Sequence, residues 1–373
     1  MTAAAGAASR THVGSTGSVH AERGDFGHGA ALAAEETTRS DVIGAGPLRA
    51  ALEDPSVTDV LVNGQHGVWV DRGRGLERWA ELVLGEREVR ALAVRLAAAC
   101  GQRLDDACPV VDGRLPDGTR VHAVLPPVCA DGTAISLRTL RRRALSVPEL
   151  LERSTVGADG ALLLRRLVAS RANVLVSGAT GVGKTTLLAA MLSLVPPDER
   201  IVCIEEAPEL NPDHPHTVHL QVRRANVQGA GEVSLEHLVR AAVRMRPDRL
   251  VLGECRGAEV RDVLGALNTG HDGGWATVHA NAAADVPARL TALGALAGML
   301  PETVAAQAVS ALDAVVHLRR AGAVRRLAEV AVLERDARGA LASVSAATAA
   351  ADGSLLPAAG WDRLARRLEE GSR

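Results

Sequence analysis

One segment of the sequence has residue types and spacing suited to holding phosphate groups. Residues 178–185 read Gly-Ala-Thr-Gly-Val-Gly-Lys-Thr, which matches the pattern Gly-x4-Gly-Lys-Ser/Thr at every position. Glycines let backbone N–H groups turn inward around phosphates, and a helix N-terminus adds its positive dipole end. Lys184 is expected to reach the β- and γ-phosphates of ATP, and the Thr185 hydroxyl to ligate Mg²⁺. The predicted phosphate-binding residues are Gly178, Ala179, Thr180, Gly181, Val182, Gly183, Lys184, Thr185 and Thr186.

Lys184 is the sole lysine of the chain, because 41 of the 42 Lys and Arg residues are arginine. Lysine carries a compact ammonium group, which the wide planar guanidinium of arginine does not imitate. Retention of this one lysine inside the glycine-rich segment supports its assignment to a phosphate.

Two acidic segments follow the phosphate-binding segment. The apolar run 248–254 ends in Glu254, where P-loop enzymes place an acidic residue in the Mg²⁺ shell. The run 204–209 carries Glu205, Glu206 and Glu209 at the end of another predicted strand, where ligand sites of open α/β sheets collect. These carboxylates could polarise an attacking water and shape the metal shell, or could form only a solvated acidic loop.

Histidines and arginines complete the set of candidate residues. His271 and His279 flank a predicted strand, and a γ-phosphate sensor is a better interpretation than a metal site, because no third ligand is evident. Arg240 and Arg244 are four residues apart and share a helix face, as a phosphate clamp or a finger acting on a neighbour would require. The alternatives are structural histidines and solvated arginines.

Hydrophobic periodicity divides the chain into parts that would position these residues. Residues 1–45 have no apolar period and are predicted to be disordered. Short strands and one amphipathic helix at 86–100 follow, and from about residue 147 strands alternate with helices, as in a parallel α/β sheet. The predicted strands of this second part are 173–177, 201–205, 218–222, 249–252 and 275–279. The predicted helices are 158–171, 184–194, 235–245, 257–268 and 302–311, and a hairpin is predicted at 314–333.

Composition limits the function classes. The 373 residues carry a formal charge of −2, and only 1% of them are aromatic. Neither a global basic field nor base-stacking aromatics support nucleic-acid binding. The five cysteines form no CxxC pair, which disfavours a structural zinc site and suits a reducing cytoplasm. No apolar stretch of 18 residues or more occurs, so a membrane role is expected to be peripheral.

The phosphate-binding segment, the acidic box at 204–209, the second acidic box at 248–254 and the histidine box at 269–281 follow one another along the chain. In that order these short motifs, or boxes, resemble those of the secretion ATPase superfamily that drives type II secretion, type IV pili and type IV secretion. Residues 233–281 resemble the CpaF/TadA branch, the Flp (tight-adherence) pilus assembly ATPases, and residues 54–64, 110–127 and 132–139 resemble the N-terminal domain of that branch. The resemblance covers about residues 46–335. It implies a RecA-like P-loop ATPase domain at 146–340 after a smaller α+β N-terminal domain at 46–145. The chain becomes rich in Ala and Ser after about residue 340, so residues 341–373 are predicted to be a C-terminal tail, in which the apolar spacing near Trp361 predicts one short helix.

The resemblance also implies residue roles. Glu209 would activate water, Glu254 would be the second acidic residue, and His271 and His279 fall on the family's His box. Arg240 and Arg244 would neutralise phosphates, while Arg138 of the N-terminal domain would close over the nucleotide, with Arg120 as a second candidate. The box that usually reads Ile-Glu-Asp reads Ile-Glu-Glu here, so Glu206 is one methylene longer and an altered rate is expected.

As a member of this superfamily, the protein is expected to be a hexameric, ATP-hydrolysing motor for pilus assembly. It would be cytoplasmic and peripheral at the inner membrane, where it would act on a membrane platform protein without direct nucleic-acid contact. Two alternatives remain: a type IV secretion or DNA-uptake ATPase, and a nucleotide-binding scaffold without turnover.

Overall fold

The described residues form two β-sheets. The computed structural model describes residues 45–73, 75–139, 144–223, 231–322 and 324–370. Nearly all of the segment predicted to be disordered, residues 1–44, lies outside the described residues.

The first sheet is antiparallel and has the strand order β3-β2-β1-β6-β5-β4. Its strands are β1 (Asp59–Asn63), β2 (Val68–Asp71), β3 (Leu76–Arg78), β4 (Val110–Arg114), β5 (Arg120–Val124) and β6 (Ala134–Arg138). Alternate residues such as Val60 and Val62 are fully buried, as expected of a sheet with one covered face.

Helix α2 (Glu86–Ala99) covers that face, and the short helix α1 (Arg49–Glu53) precedes β1 in the chain. Val89, Leu92 and Leu96 follow the i, i+3, i+7 spacing of one helix face and are buried with the valines of the sheet in one core. Glu86 accepts hydrogen bonds from the N–H and hydroxyl groups of Thr133 at 3.0 and 2.6 Å, which ties the start of the helix to β6.

The second sheet has nine strands in the order β15-β14-β13-β12-β7-β11-β10-β8-β9. Its strands are β7 (Val174–Ser177), β8 (Ile201–Glu205), β9 (Thr217–Gln221), β10 (Arg249–Leu252), β11 (Trp275–Val278), β12 (Ala314–Ala321), β13 (Val324–Arg335), β14 (Leu341–Ala349) and β15 (Leu355–Pro357). The associated helices are α3 (Val147–Glu152), α4 (Ala158–Ala169), α5 (Lys184–Leu192), α6 (Leu235–Val243), α7 (Glu259–Leu267), α8 (Val286–Leu296), α9 (Pro301–Ala311) and α10 (Trp361–Glu370).

Strands β7 to β12 are parallel where they pair, and β7, β8, β10 and β11 are buried along their whole length. Continuous apolar strands of this kind are typical of parallel sheets covered by helices on both faces. The predicted α/β class, with a smaller α+β part before the parallel sheet, is confirmed. The loops that follow β7, β8, β10 and β11 share the carboxyl edge of this sheet.

Residues after 340 differ from the predicted tail. β14 pairs with β13 from Leu341 opposite Arg335 to Thr348 opposite Glu329, and β15 pairs with β14, so this segment extends the sheet. Helix α10 follows, and Arg367 Nε lies 2.7 Å from Asp313 Oδ1. The boundary near residue 145 falls between the two sheets and stays a prediction.

No single helix among the described residues is long and apolar enough to cross a membrane. Residues 283–296 and 301–311 pass that test only as a pair, bent by 119°.

Gly273, in the loop before β11, is predicted to be required for stability. Its φ of +82° is in the left-handed region, and a Cβ added there would collide with Nη1 of the buried Arg249. Gly270 in the same loop has a φ of +92°, but a Cβ there would meet no atom within 4 Å. Gly270→Ala should therefore lower the free energy of unfolding by about 1–2 kcal/mol, through backbone strain alone. Gly273→Ala should lower it by about 2–4 kcal/mol, because the collision with Arg249 is added to that strain.

Urea unfolding of the two variants beside the parent protein measures both losses. Equal midpoints for Gly270→Ala and Gly273→Ala would show that Arg249 moves aside without cost.

Candidate functional site

The predicted phosphate-binding segment is the loop between β7 and α5. Gly178, Gly181 and Gly183 have φ values of +151°, +72° and +97°, which side-chain-bearing residues rarely adopt. A Cβ on Gly178 would lie 2.6 Å from the carbonyl oxygen of Leu318 on β12. The loop thus joins a buried strand to a helix that begins at Lys184, the strand–turn–helix context expected of a phosphate-binding loop.

The Lys184 side chain is buried, with only 6% of the residue exposed. Its Nζ donates to the carbonyl oxygens of Gly178 at 3.0 Å and Ala179 at 3.1 Å, and lies 2.9 Å from His279 Nδ1. Burial lowers the pKa of the Lys184 ammonium, against the opposing effect of the Glu254 carboxylate. The ammonium is therefore held inside the loop by neutral acceptors.

His279 links Lys184 to Glu254. Since Nδ1 faces the ammonium donor, the ring proton is assigned to Nε2, which lies 2.6 Å from Glu254 Oε1. Burial lowers the pKa of His279, and the Lys184 charge acts in the same direction, so the neutral ring fits both contacts. Burial opposes ionisation of Glu254, but hydrogen bonding to Arg256 and the charges around it lower the pKa of Glu254 overall.

The three carboxylates after β8 have different environments. Glu205 is buried, and its Oε1 accepts from the backbone N–H groups of Glu209 and Leu210, both at 2.9 Å. It therefore anchors the loop through Oε1, whereas its buried Oε2 accepts no hydrogen bond. Glu209 is exposed and faces a cavity, whereas Glu206 Oε2 accepts from Arg256 Nη1 at 3.2 Å.

The cavity, of about 170 Å³, lies between the two sheets. Its wall on the second sheet is formed by Thr185, Thr186, Ala189, Pro208, Glu209 and Asn211. Its opposite wall is formed by Thr58, Asp59, Arg114, Gly118, Arg120, Arg138 and Thr139, and the connection adds Ala144 and Leu145. The start of α5 and Glu209 thus face a basic wall across one space.

A row of arginines crosses that basic wall. In the register of the first sheet Arg114 is opposite Arg120, and Arg120 is opposite Arg138. Arg138 Nε donates to Asp59 Oδ1 at 3.0 Å, and Arg114 Nη1 donates to the Pro208 carbonyl oxygen of the other wall at 3.2 Å. Burial and the neighbouring Arg120 lower the pKa of Arg114. Three cations beside a helix N-terminus suit a polyphosphate.

Arg114 and Arg256 are residues of this site that the motif search missed. The Pro-Asp-Gly turn at 116–118 would have placed Arg114 opposite Arg120, because a tight turn fixes hairpin register. Arg256 stands two residues after Glu254, and its arginine type gave no signal in a chain with 41 arginines.

Of the predicted site residues, Arg138, Thr185, Thr186 and Glu209 line this cavity. Residues 178–184, Glu254 and His279 do not line it, but Lys184 precedes Thr185 in the chain and is linked to Glu254 through His279.

Three further predicted residues, His271, Arg240 and Arg244, are found in neither group. His271 precedes β11 and is therefore at the amino edge of the strand, opposite to His279, with its Nδ1 3.2 Å from the Ala266 carbonyl oxygen. Arg240 is exposed and makes a two-point contact with Asp262 at 2.9 and 3.1 Å. Arg244 is exposed at the end of α6. Their predicted roles stay predictions.

The donor set fits a magnesium nucleotide. Within the described residues, no group of three or more His, Cys, Asp and Glu side chains could hold a metal ion. Mg²⁺ in nucleotide sites commonly needs only one or two protein ligands, since phosphate oxygens and water supply the others. Thr185 at the start of α5 and the half-buried Glu254, linked to Lys184 through His279, are suited to that task.

Comparison with known proteins agrees with the fold and the motifs. Residues 42–348 match the family model described as type II/IV secretion system protein. A Mycobacterium tuberculosis protein provisionally named for conjugal transfer is 50% identical over 321 residues, which is 84% of this chain and 91% of that protein. The type IV secretion system protein VirB11 of Brucella suis is 34% identical over 260 residues, which is 63% of this chain and 72% of VirB11. The structure of the ATPase DotB from Yersinia pseudotuberculosis aligns with a TM-score of 0.52 at 17% identity, and the alignment covers 86% of this chain and 79% of DotB.

Proposed function

Because the chain belongs to the type II/IV secretion system protein family, we propose that it is an ATP-hydrolysing motor of a pilus or secretion machine. The observation that carries the proposal is the cavity in which the P-loop helix and Glu209 face the arginine row. ATP would lie there with its phosphates between Lys184 and those arginines. The boundary near residue 145 would then separate two domains that close on the nucleotide.

The chain's own residues divide the chemistry among them. Lys184 and the N–H groups of residues 178–186 hold the phosphates, and the arginine row neutralises them from the other side. Glu209, exposed on a loop that Glu205 anchors, accepts the proton of the attacking water. Bound Mg²⁺ would neutralise charge on the phosphate oxygens. Thr185 and Glu254 would hold that ion. His279, which lies close to both Glu254 and Lys184, would couple ion binding to the position of the Lys184 ammonium.

Arg240, Arg244 and His271 would act only if a second subunit brought them to a nucleotide, because among the described residues they neither line their own cavity nor contact Lys184, His279 or Glu254. A hexameric ring, in which one subunit completes the site of the next, gives them that role. The motor would then be cytoplasmic, at the inner face of the membrane, and would transmit domain motion to a platform protein without touching nucleic acid itself.

The CpaF/TadA-type motifs favour Flp pilus assembly as the machine served. A second candidate is a conjugation or type IV secretion machine, which the names of the Mycobacterium and Brucella relatives favour. Deletion of the gene, followed by pilus counts in electron micrographs and by plasmid-transfer frequency, separates the two. Loss of pili with normal transfer supports the first, and the reverse result supports the second.

The purified full-length protein is expected to bind a fluorescent ATP analogue and to release phosphate from ATP only when Mg²⁺ is present. Titration of the analogue, with unlabelled ATP as competitor, measures binding, and a phosphate-release assay with and without EDTA measures turnover. Binding without turnover by the assembled protein would support a scaffold instead. If the protein neither binds nor hydrolyses ATP at millimolar concentration, the proposed function is wrong.

A further inference from the structure

Arg256 holds the carboxylate that the proposed function assigns to the metal shell. It lies in the loop between β10 and α7, and its guanidinium makes a two-point contact with Glu254. Arg256 Nε is 2.7 Å from Oε1, and Nη2 is 2.7 Å from Oε2. His279 Nε2 approaches the same Oε1 at 2.6 Å. Oε2 therefore accepts a hydrogen bond from Arg256, whereas the buried Oε1 lies close to both nitrogens but accepts no hydrogen bond from either.

A second carboxylate is within reach of the same guanidinium. Arg256 Nη1 donates to Glu206 Oε2 at 3.2 Å, so Arg256 bridges the two acidic boxes. Glu206 stands where the family pattern has the shorter aspartate. The additional methylene gives Glu206 the length of arm with which it meets Arg256.

The backbone at Arg256 is held by hydrogen bonds, whereas its side chain is partly exposed to solvent. The N–H groups of Arg256 and Gly257 donate to Oε1 of the buried Glu259 at 2.5 and 2.8 Å. The Arg256 side chain itself is 53% exposed, and that of Glu206 is 52% exposed. The guanidinium can therefore exchange partners by side-chain rotation alone.

We propose that Arg256 is an internal counter-ion that competes with Mg²⁺ for Glu254 and is transferred to Glu206 when the magnesium nucleotide binds. This inference rests on the proposed function. Arg256 Nε lies 2.7 Å from Oε1, the oxygen that accepts no hydrogen bond, so a divalent cation ligated there would repel the guanidinium and weaken the two-point contact. Glu206 then keeps the released charge beside the site. Arg256 is thus a positioning residue that sets how strongly Mg²⁺ assists nucleotide binding.

The test measures nucleotide binding and not turnover. The full-length protein is titrated with a fluorescent ATP analogue in EDTA and at saturating Mg²⁺, and the ratio of the two affinities is the magnesium coupling. Arg256→Gln removes the competing charge, so the coupling should rise by about three- to tenfold, the size expected for loss of one partly exposed ion pair. Glu206→Gln removes the alternative partner, so the coupling should fall.

Arg90→Gln is the matched control, because Arg90 is also a partly exposed arginine with one close carboxylate, Asp106 at 2.6 Å. Its coupling should equal that of the parent protein. An unchanged or lower coupling in Arg256→Gln, or an unchanged or higher one in Glu206→Gln, would overturn the inference. Each variant reports independently, so one that does not fold leaves the other decisive. If the parent protein binds no nucleotide, the proposed function fails, and the inference fails with it.

Discussion

Lys184→Arg is expected to lower ATP turnover at least tenfold while the protein stays folded. The Lys184 ammonium is enclosed, with Nζ at 3.0 and 3.1 Å from two loop carbonyl oxygens and at 2.9 Å from His279. A planar guanidinium keeps the charge but is wider, and it cannot place one compact donor at each of these positions. Phosphate release measures the loss, and thermal unfolding checks the fold.

The control for this exchange is Arg320→Lys, because Arg320 is exposed and its Nε donates to the nearby Gly322 carbonyl oxygen. The control should keep the parental turnover. Near-normal turnover of Lys184→Arg would show that this ammonium does not meet a phosphate. A lower midpoint of thermal unfolding with equal loss of ATP binding would assign the effect to loop collapse instead.

The parts of this site that motif and period define could be predicted from sequence. The glycine-rich loop has a fixed spacing, and the burial of β7, β10 and β11 on both faces gives short apolar runs that sequence reading detects. The predicted hairpin at 314–333 corresponds to β12 and β13, whose buried positions are mostly Val, Leu and Ala.

Elements built from small residues could not be predicted in the same way. β14 reads Leu-Ala-Ser-Val-Ser-Ala-Ala-Thr-Ala, which has low β-propensity, and it is a strand because it pairs with β13 along its length. Helix α8 was also missed, since its apolar residues are not confined to one face. Pairing and burial, which are tertiary effects, determine both elements.

Contacts between residues that are far apart in the chain could likewise not be predicted from the sequence. Arg114 and Pro208, separated by 94 residues, are in contact because the two sheets meet at the cavity. The sequence can therefore identify candidate residues of each wall of such a site, but not that the two walls face each other.

Glu209→Gln and Glu254→Gln are expected to fail in different ways. Glu209 is exposed at the cavity, so the amide should leave ATP binding intact and lower kcat by about 10²–10⁴-fold, the usual contribution of a general base. Glu254 is half-buried between Arg256 and His279, so its amide removes a charge that both partners face. That variant should lose magnesium coupling as well as turnover.

Turnover and the Mg²⁺ concentration at half-maximal binding, measured on both variants, separate a proton-transfer defect from a metal defect. Glu206→Gln is the informative comparison, because Glu206 is three residues from Glu209 but contacts Arg256 instead of facing the cavity. It should keep more of its kcat at saturating Mg²⁺ than Glu209→Gln keeps. The reverse order would move the base to Glu206, and the loop that Glu205 anchors would then have to turn Glu206 toward the phosphates before reaction.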